Sequence, residues 1–574
     1  MGILLGLLEE VQKNESTQGD KAHRRLPSIC IIERGDGVSH QRLNSGPTVL
    51  PQQWYTAAHS ADSAVLYQGQ HKKLTSASSH HRETTVPVGT GIGGTSNINA
   101  CLCLPPAEDD FEQWPEPFHS QLLPAIDYIL ARLEANNAIE RHTTSALSTH
   151  EDKEGKVTSH EAKSLLQRRN TFPLSTDTVQ CNVRHDQHRG QSTRCNYYHG
   201  LIEPLIQQIP QYGECITWIT GHHAERILIE GQTAASVEVR SVTSSSEPVF
   251  RTVQAEREII LCAGAIESPA LLQVSGIGRP VDHRQLMQFR NDAPVGDNLR
   301  DHTMMVRAYF RREKMAVKYC PNGVQAIHCF EINKQRYQAA VMDGDPLTFQ
   351  STLPGVVASL FRWKCNSKSW DAFSVLSFLL YTLVYSILWL LLRFPPFFYV
   401  LRHYVTILTV SLLNPRSTGH VHIVMPDRHD GSTILRRSRV QLDIQLPYLT
   451  NPADCQSIVE GWIASRAMAS PPDGVAVFPD PLFPLTNTRS QQQFQSYARA
   501  TCLPYYHFCG TCRMPLKDEK DDNNCVVDSL LRVCGVARLR VCDASVFPYL
   551  PSAPIALTCL ALGYITGKRL VQEE

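Results

Sequence analysis

The sequence predicts an α/β domain interleaved with an α+β domain, and four stretches carry that expectation. Residues 3–12 read as a short apolar helix, and Ile29-Cys30-Ile31-Ile32-Glu33 after it reads as a buried strand closed by an acid and by Gly35. Residues 258–278 read as strand, small-residue turn and helix, with Pro269 in the helix's first turn and Gly276 and Gly278 closing it. Residues 214–262 and 405–450 add short alternating strands, among them Ile216-Thr217-Trp218-Ile219, Ser236-Val237-Glu238-Val239 and Val440-Gln441-Leu442-Asp443-Ile444. Helix-linked strands beside meanders point to one α/β domain and one α+β domain with a mostly antiparallel sheet.

Composition narrows the function classes. At 574 residues, with 42% hydrophobic and 19% charged side chains, the chain is long enough for two domains sharing a large core. Lysine plus arginine (55) equals aspartate plus glutamate (55), so no global charge favours nucleic acid or an anionic membrane. The 18 cysteines have no regular spacing, which suits a reducing compartment better than a disulfide scaffold. The apolar run from Met1 to Leu8 lacks a basic flank and a cleavage site, so no signal peptide is recognised and an intracellular location is expected. The pairs His80-His81 and His222-His223 lack the spacing of metal ligands, and no metal is assigned.

Several segments carry chemistry. A strand-ending acid such as Glu33 is what a dinucleotide-binding βαβ unit uses to bind ribose hydroxyls. The strand and G-x-G-x-x-G loop expected ahead of it do not occur within the sequence, and Gly2 fits the last glycine of such a loop. In Gly89-Thr90-Gly91-Ile92-Gly93-Gly94-Thr95-Ser96-Asn97-Ile98-Asn99 the adjacent glycines let backbone amides approach a pyrophosphate or ring edge that a Cβ would block. The bland alternative is a plain glycine-rich loop. Near the C-terminus stands Tyr506-His507-Phe508-Cys509-Gly510-Thr511-Cys512-Arg513-Met514, followed by Asp543-Ala544-Ser545-Val546-Phe547-Pro548. An imidazole titrates near neutrality, so His507 suits general base work. Cys509 and Cys512 also fit a C-x-x-C redox pair.

With Val295-Gly296-Asp297-Asn298-Leu299-Arg300-Asp301-His302, these blocks stand in the order of the glucose–methanol–choline (GMC) family of FAD-dependent oxidoreductases, which the chain resembles over residues 29–570. The resemblance implies an FAD-binding, Rossmann-like domain built from residues 1–110, 190–305 and 500–574. It leaves residues 111–189 as a polar excursion or lid, and 306–499 as the substrate domain. It implies FAD held by Glu33, by Gly89, Gly93, Gly94, Thr95, Asn97, Ile98 and Asn99 of the glycine loop, by Ala224 beside the adenine, by Ala263 and Gly264, and by Asp543 and Ala544. Ile98 stands where one family variant carries a flavin-linking His, so non-covalent FAD is expected. The implied activity is that of an alcohol dehydrogenase or oxidase acting on CH–OH donors, with His507 taking the hydroxyl proton of a small-molecule alcohol, lipophilic or choline-like. The residues select no electron acceptor.

Two features depart from the pattern. The family's second polar residue aligns with Ala556, whose side chain can neither donate nor accept; a small shift brings Thr558 to the place instead. A catalytically impaired relative that binds a lipid or a partner is therefore the alternative function. The other feature is Phe373 to Leu392, twenty residues without a charge, continued to Leu401 by Phe397-Phe398-Tyr399-Val400. That length fits a membrane span. One crossing would separate segments that the same cofactor domain needs, so membrane attachment through 373–401 is expected to be re-entrant or in-plane, with a buried helix and then a true span as the alternatives.

Overall fold

The protein's fold, seen in a computed structural model, contains both predicted architectures. The structure describes residues 1–18, 27–35, 57–60, 63–71, 83–143, 178–181, 183–186, 191–242, 249–279, 293–310, 324–343, 383, 394–424, 435–469, 475–478, 495, 498–499, 501–519 and 524–573.

The α/β part contains two parallel strand pairs. Ile29–Ile32 runs beside Ile216–Ile219 with Ile29 opposite Ile216, and Ile259–Leu261 runs beside Leu539–Val541. An antiparallel sheet of His222–Glu230, Thr233–Ser241 and Phe250–Gln254 adjoins them. The helices Gly2–Gln18 and Ala556–Gln572 cross at backbone distance. A Cβ on Gly2 or Gly6 would overlap the carbonyl oxygen of Leu560 or Tyr564, and one on Gly567 would overlap that of Ile3. Small residues at a four-residue spacing on both helices permit this approach. Leu5, Leu8, Leu557 and Leu562 fill the core beside the crossing.

A second core lies under a six-stranded antiparallel sheet. Its order is Val324–Ile332, Gln335–Asp343, Val405–Leu412, Thr303–Phe310 and Val475–Phe478, with Leu503–Pro504 paired to the start of Thr303–Phe310. Helix Pro452–Ala469 covers it, and Gly461 leaves room for the Tyr337 ring, whose hydroxyl donates to the Ser457 carbonyl at 2.9 Å. A third sheet joins Ala64–His71 and Glu83–Gly89 to His420–Val424 and Gln441–Leu446. Strands on either side of the expected domain boundaries thus share hydrogen bonds.

One expected segment differs. Within 111–189, read as a polar excursion, residues 118–135 form a helix whose Phe118, Leu122, Ile126, Ile129 and Leu133 are buried in the main core. Their three- and four-residue spacing is helical, with Asp127 and Glu134 exposed between them and Arg132 paired with Glu9. Of the uncharged run 373–392, all but Leu383 lies outside the described residues. Residues 395–404 form a ten-residue helix with Tyr399 and Val400 exposed, next to an exposed Phe394. Among the described residues no helix is long and apolar enough to cross a membrane.

Candidate active site

Strand pairing delivers His507 to its neighbours. Thr303 and Met304 pair with Pro504 and Leu503, and Arg300 exchanges backbone hydrogen bonds of 2.9 and 3.0 Å with Cys509. Asp301 and His302 therefore lie beside residues 505–507. Asp301 is fully buried, and its carboxylate accepts from the amides of His507 (2.7 Å), Tyr505 (3.1 Å) and Tyr506 (3.1 Å) and from the Tyr448 hydroxyl (2.5 Å). Tyr506 has φ 65°, a left-handed conformation that costs a residue with a Cβ about 1–2 kcal/mol. Three successive amides converging on one carboxylate make an anion nest that holds it there. Burial pushes the Asp301 carboxyl up to about 7, against the hydrogen bonds from Tyr448 and the three amides.

The imidazoles of His302 and His507 meet edge to face. Their Nδ1 atoms are 2.9 Å apart, and His302 Nε2 lies 3.0 Å from the Pro551 carbonyl oxygen. Tyr505 packs against both rings. Burial holds His302 down at about 4, although the carbonyls of Pro551 and Leu413 favour its protonated form. Burial, and secondarily the charge His302 would carry, hold His507 well below its usual range. Both rings are therefore neutral at pH 7. His507 Nε2 makes no hydrogen bond among the described residues, so a lone pair or proton there is available to a ligand.

Next to this corner stands helix Gly264–Val274. Pro269 lies inside it rather than in its first turn. Lacking an N–H, Pro269 leaves the Ala265 carbonyl without its helical donor. Thr511 supplies one: its hydroxyl donates to Ala265 O at 2.7 Å, which links the helix to the Cys509–Cys512 segment. Asp543 accepts from the Gly264 amide (2.8 Å) and the Ser268 hydroxyl (2.5 Å) through one oxygen, and from the Ser545 amide (2.8 Å) through the other. Its role in the fold is to hold that turn. Cys509 and Cys512 are buried, and burial raises both thiols far above their usual range, the opposite of what a redox pair requires.

The glycine loop is tied to the first strand by Glu33, whose Oε1 accepts from the amides of Gly35 (2.8 Å) and Gly91 (2.9 Å). Gly93 (φ 107°) and Gly94 (φ 55°) take left-handed turns. Asn97 donates to the carbonyls of Thr90 and Ile92 and accepts from Asn196 at 2.8 Å. Asn99 accepts from the Cys101 amide and from Arg194. Thr95 is exposed, and Ile98 is buried in a small cluster with Ala57, Ala58 and Ala64. Ala224 is half-buried in the strand His222–Glu230, where His223 pairs with Glu225 at 3.2 Å.

Two profiles of the family described as GMC oxidoreductase match, an N-terminal one over residues 63–304 and a C-terminal one over residues 415–563. The chain belongs to the GMC oxidoreductase family. Oxidoreductase cicC of Emericella nidulans is 29% identical over 58% of this chain and 53% of its own length. The oxygen-dependent choline dehydrogenase of Citrobacter koseri is 28% identical over 61% of this chain and 56% of its own length, so the chain spans about half the length of these curated relatives. The fold matches the crystal structure of pyridoxine 4-oxidase from Mesorbium loti with TM-score 0.64 and 17% identity, over 100% of this chain and 97% of that one.

FAD is the cofactor a GMC oxidoreductase implies, and the surface here fits a dinucleotide. Cys262 and Ala263 are exposed between buried Leu261 and buried Ala265. A Cβ built on Gly264 or Gly94 would meet nothing within 4 Å. Backbone therefore faces open space at both turns. Glu33 Oε2 accepts no hydrogen bond among the described residues, which leaves it for a ribose hydroxyl. The sequence offers Ala556, or with a small shift Thr558, at the place of the family's second polar residue. Ala556 is half-buried against the main core, and Thr558 Oγ1 is buried without a hydrogen-bond partner among the described residues. The polar side chain that meets His507 is His302. It closes the Val295–His302 block of the sequence, but its 205-residue separation from His507 hides the pairing.

Proposed function

We propose that this chain is an FAD-dependent oxidoreductase acting on the CH–OH group of donors, with His507 as the base that takes the hydroxyl proton. The observation that carries this reading is an imidazole kept neutral by burial, bonded through Nδ1 and open at Nε2, within the C-terminal motif of a GMC oxidoreductase. Bound FAD would supply the hydride acceptor that turns the alcohol into an aldehyde or ketone. Glu33, the 89–99 loop, Ala224, Ala263, Gly264 and the Asp543-Ala544 turn are the residues proposed to hold it. The binding is proposed to be non-covalent, because Ile98 offers no nucleophile and its side chain is buried.

The proposed donor is a small alcohol. Choline and pyridoxine, named in the relatives' descriptions, are the first to test. A lipophilic donor, delivered by in-plane membrane attachment through 373–401, rests on the apolar run and on exposed Phe394, Tyr399 and Val400. Retention on vesicles through carbonate washing supports that attachment, and complete release rejects it. The impaired-relative reading rests on Ala556 and on the engagement of both His302 nitrogens, with His507 Nδ1 and the Pro551 carbonyl.

One experiment divides these readings. The purified chain, incubated with FAD, is mixed anaerobically with a panel of alcohols while the flavin band is followed. Bleaching by one of them supports the oxidoreductase. Bound flavin that no alcohol bleaches favours the impaired relative, and protein that takes up no flavin removes the proposal.

A further inference from the structure

Hydrogen-bond chemistry around His302 determines which nitrogen of His507 carries its proton. A carbonyl oxygen can only accept, so the 3.0 Å contact between His302 Nε2 and Pro551 O requires a proton on that Nε2. A neutral imidazole has one N–H, which leaves His302 Nδ1 as an acceptor. The 2.9 Å contact to His507 Nδ1 then requires His507 to be the donor. Its second nitrogen, Nε2, is left with a bare lone pair.

We propose that His302 is a positioning residue that uses the Pro551 carbonyl to hold His507 in the Nδ1–H tautomer, so that Nε2 faces the substrate as a proton acceptor. This rests on the reading of His507 as base and adds what prepares it. Had His302 presented an N–H instead, His507 Nδ1 would be the acceptor, and Nε2 would carry a proton and be unable to take another. Burial supports the arrangement, since a doubly protonated His302 would have no acceptor left for His507, and its imidazolium is strongly disfavoured at neutral pH. The same base gains a second hold from Asp301, which fixes the His507 backbone through the 2.7 Å amide contact. Two adjacent residues just ahead of the strand Thr303–Phe310 thus set the backbone and the ring of His507, 205 positions beyond His302. When the base takes a proton at Nε2, the Nδ1–H···Nδ1 bond persists and strengthens, because a charged donor makes the stronger hydrogen bond.

The test compares His302→Asn with His302→Leu. Asparagine places its side-chain carbonyl near the position of Nδ1 and restores an acceptor; leucine offers none. We expect His302→Leu to lower kcat by about a hundredfold with little change in KM, and His302→Asn to recover most of that loss. Equal losses in both variants would mean that His302 is only packing, and would overturn the proposal. A readout free of turnover is ¹⁵N-histidine NMR of the intact protein at pH 7. The expected result is an Nδ1–H tautomer at His507 and an Nε2–H tautomer at His302 in wild type, with the His507 tautomer lost in His302→Leu. An Nε2–H tautomer at wild-type His507 sinks the idea outright. Because the spectrum needs no substrate, it separates failure of this inference from failure of the alcohol-oxidation reading.

Discussion

Asp301, His302 and Tyr448 are buried with their polar groups bonded inside the protein, whereas Cys30, Cys262 and Ala263 are exposed and Ile29, Ile31 and Ile32 are only half-buried. The first region surrounds the base. The second lies along the strands and turns proposed to hold the dinucleotide. Parallel strands are ordinarily covered on both faces, and Ile29–Ile32 is covered only in part. The chain alone satisfies the polar groups around His507, whereas the face proposed for the dinucleotide is left partly exposed. Disturbing the first should cost stability and rate together; disturbing the second should cost cofactor affinity more than it costs stability.

The largest effect is expected at Asp301. Asp301→Ala strands three amides and a buried tyrosine hydroxyl and releases the left-handed Tyr506, for a loss of about 3–5 kcal/mol in chemical denaturation. Asp301→Asn keeps the shape and isolates the charge, and its pH dependence has a definite sign. Asp301 binds its proton more tightly folded than unfolded, so its contribution is complete below its ordinary value of 3.8 and is lost as pH rises through about 7. His302 binds its proton more loosely folded, so its contribution is present above 6.5 and is lost as pH falls toward about 4. Between those limits the two slopes oppose each other. In Asp301→Asn only the imidazole slope survives, and the melting temperature should climb more steeply between pH 4 and 6.5 than in wild type. An unchanged profile would show that Asp301 does not titrate there, and the nest would then hold a plain carboxylate.

A smaller effect belongs to the open face. In Gly264→Ala the new Cβ meets nothing within 4 Å in the protein itself, but Gly264 has φ 82°, so the change costs about 1 kcal/mol of backbone strain. The cost to FAD should be larger, because the methyl enters the space proposed for the cofactor. Titration with FAD should show affinity at least tenfold weaker, about 1.4 kcal/mol, with the His507 and His302 tautomers unchanged. FAD should also raise the melting temperature of wild type more than that of the variant, through ligand linkage. Equal FAD affinity in the two proteins would place the cofactor elsewhere and erase the contrast between the two regions.

Local features were legible in the sequence and long-range ones were not. The strand–turn–helix of 258–278 depends on neighbours within a few residues, so the order of small and apolar residues suffices to see it. Even there, Pro269 was misplaced, because its tolerance inside the helix depends on Thr511, far along the chain. Helix Phe118–Ala135 was obscured by its flanking charges, although its apolar positions have helical spacing. His302 needed the pairing of Thr303 with Pro504 to reach His507, and no local pattern encodes that register. Glu33 was identified by its place after a strand. That one of its oxygens clips the glycine loop through Gly91 followed only from the fold.

The smallest effect is expected at Thr558, and it bears most directly on whether the proton-handling corner is complete. If a second polar residue were needed beside His507, Thr558 is the side chain that a shifted alignment offers. Its hydroxyl is buried with no hydrogen-bond partner among the described residues, so it costs desolvation and gains nothing in the protein alone. Thr558→Val replaces it by a methyl of nearly the same shape, and the stability should rise by up to about 1 kcal/mol. With His302 already meeting His507, kcat should stay within about twofold, since no group oriented toward the transition state is removed. A tenfold fall in kcat without loss of stability would mean that the hydroxyl turns toward substrate when the site fills. The second polar residue would then be Thr558, and His302 would retain only its hold on the tautomer.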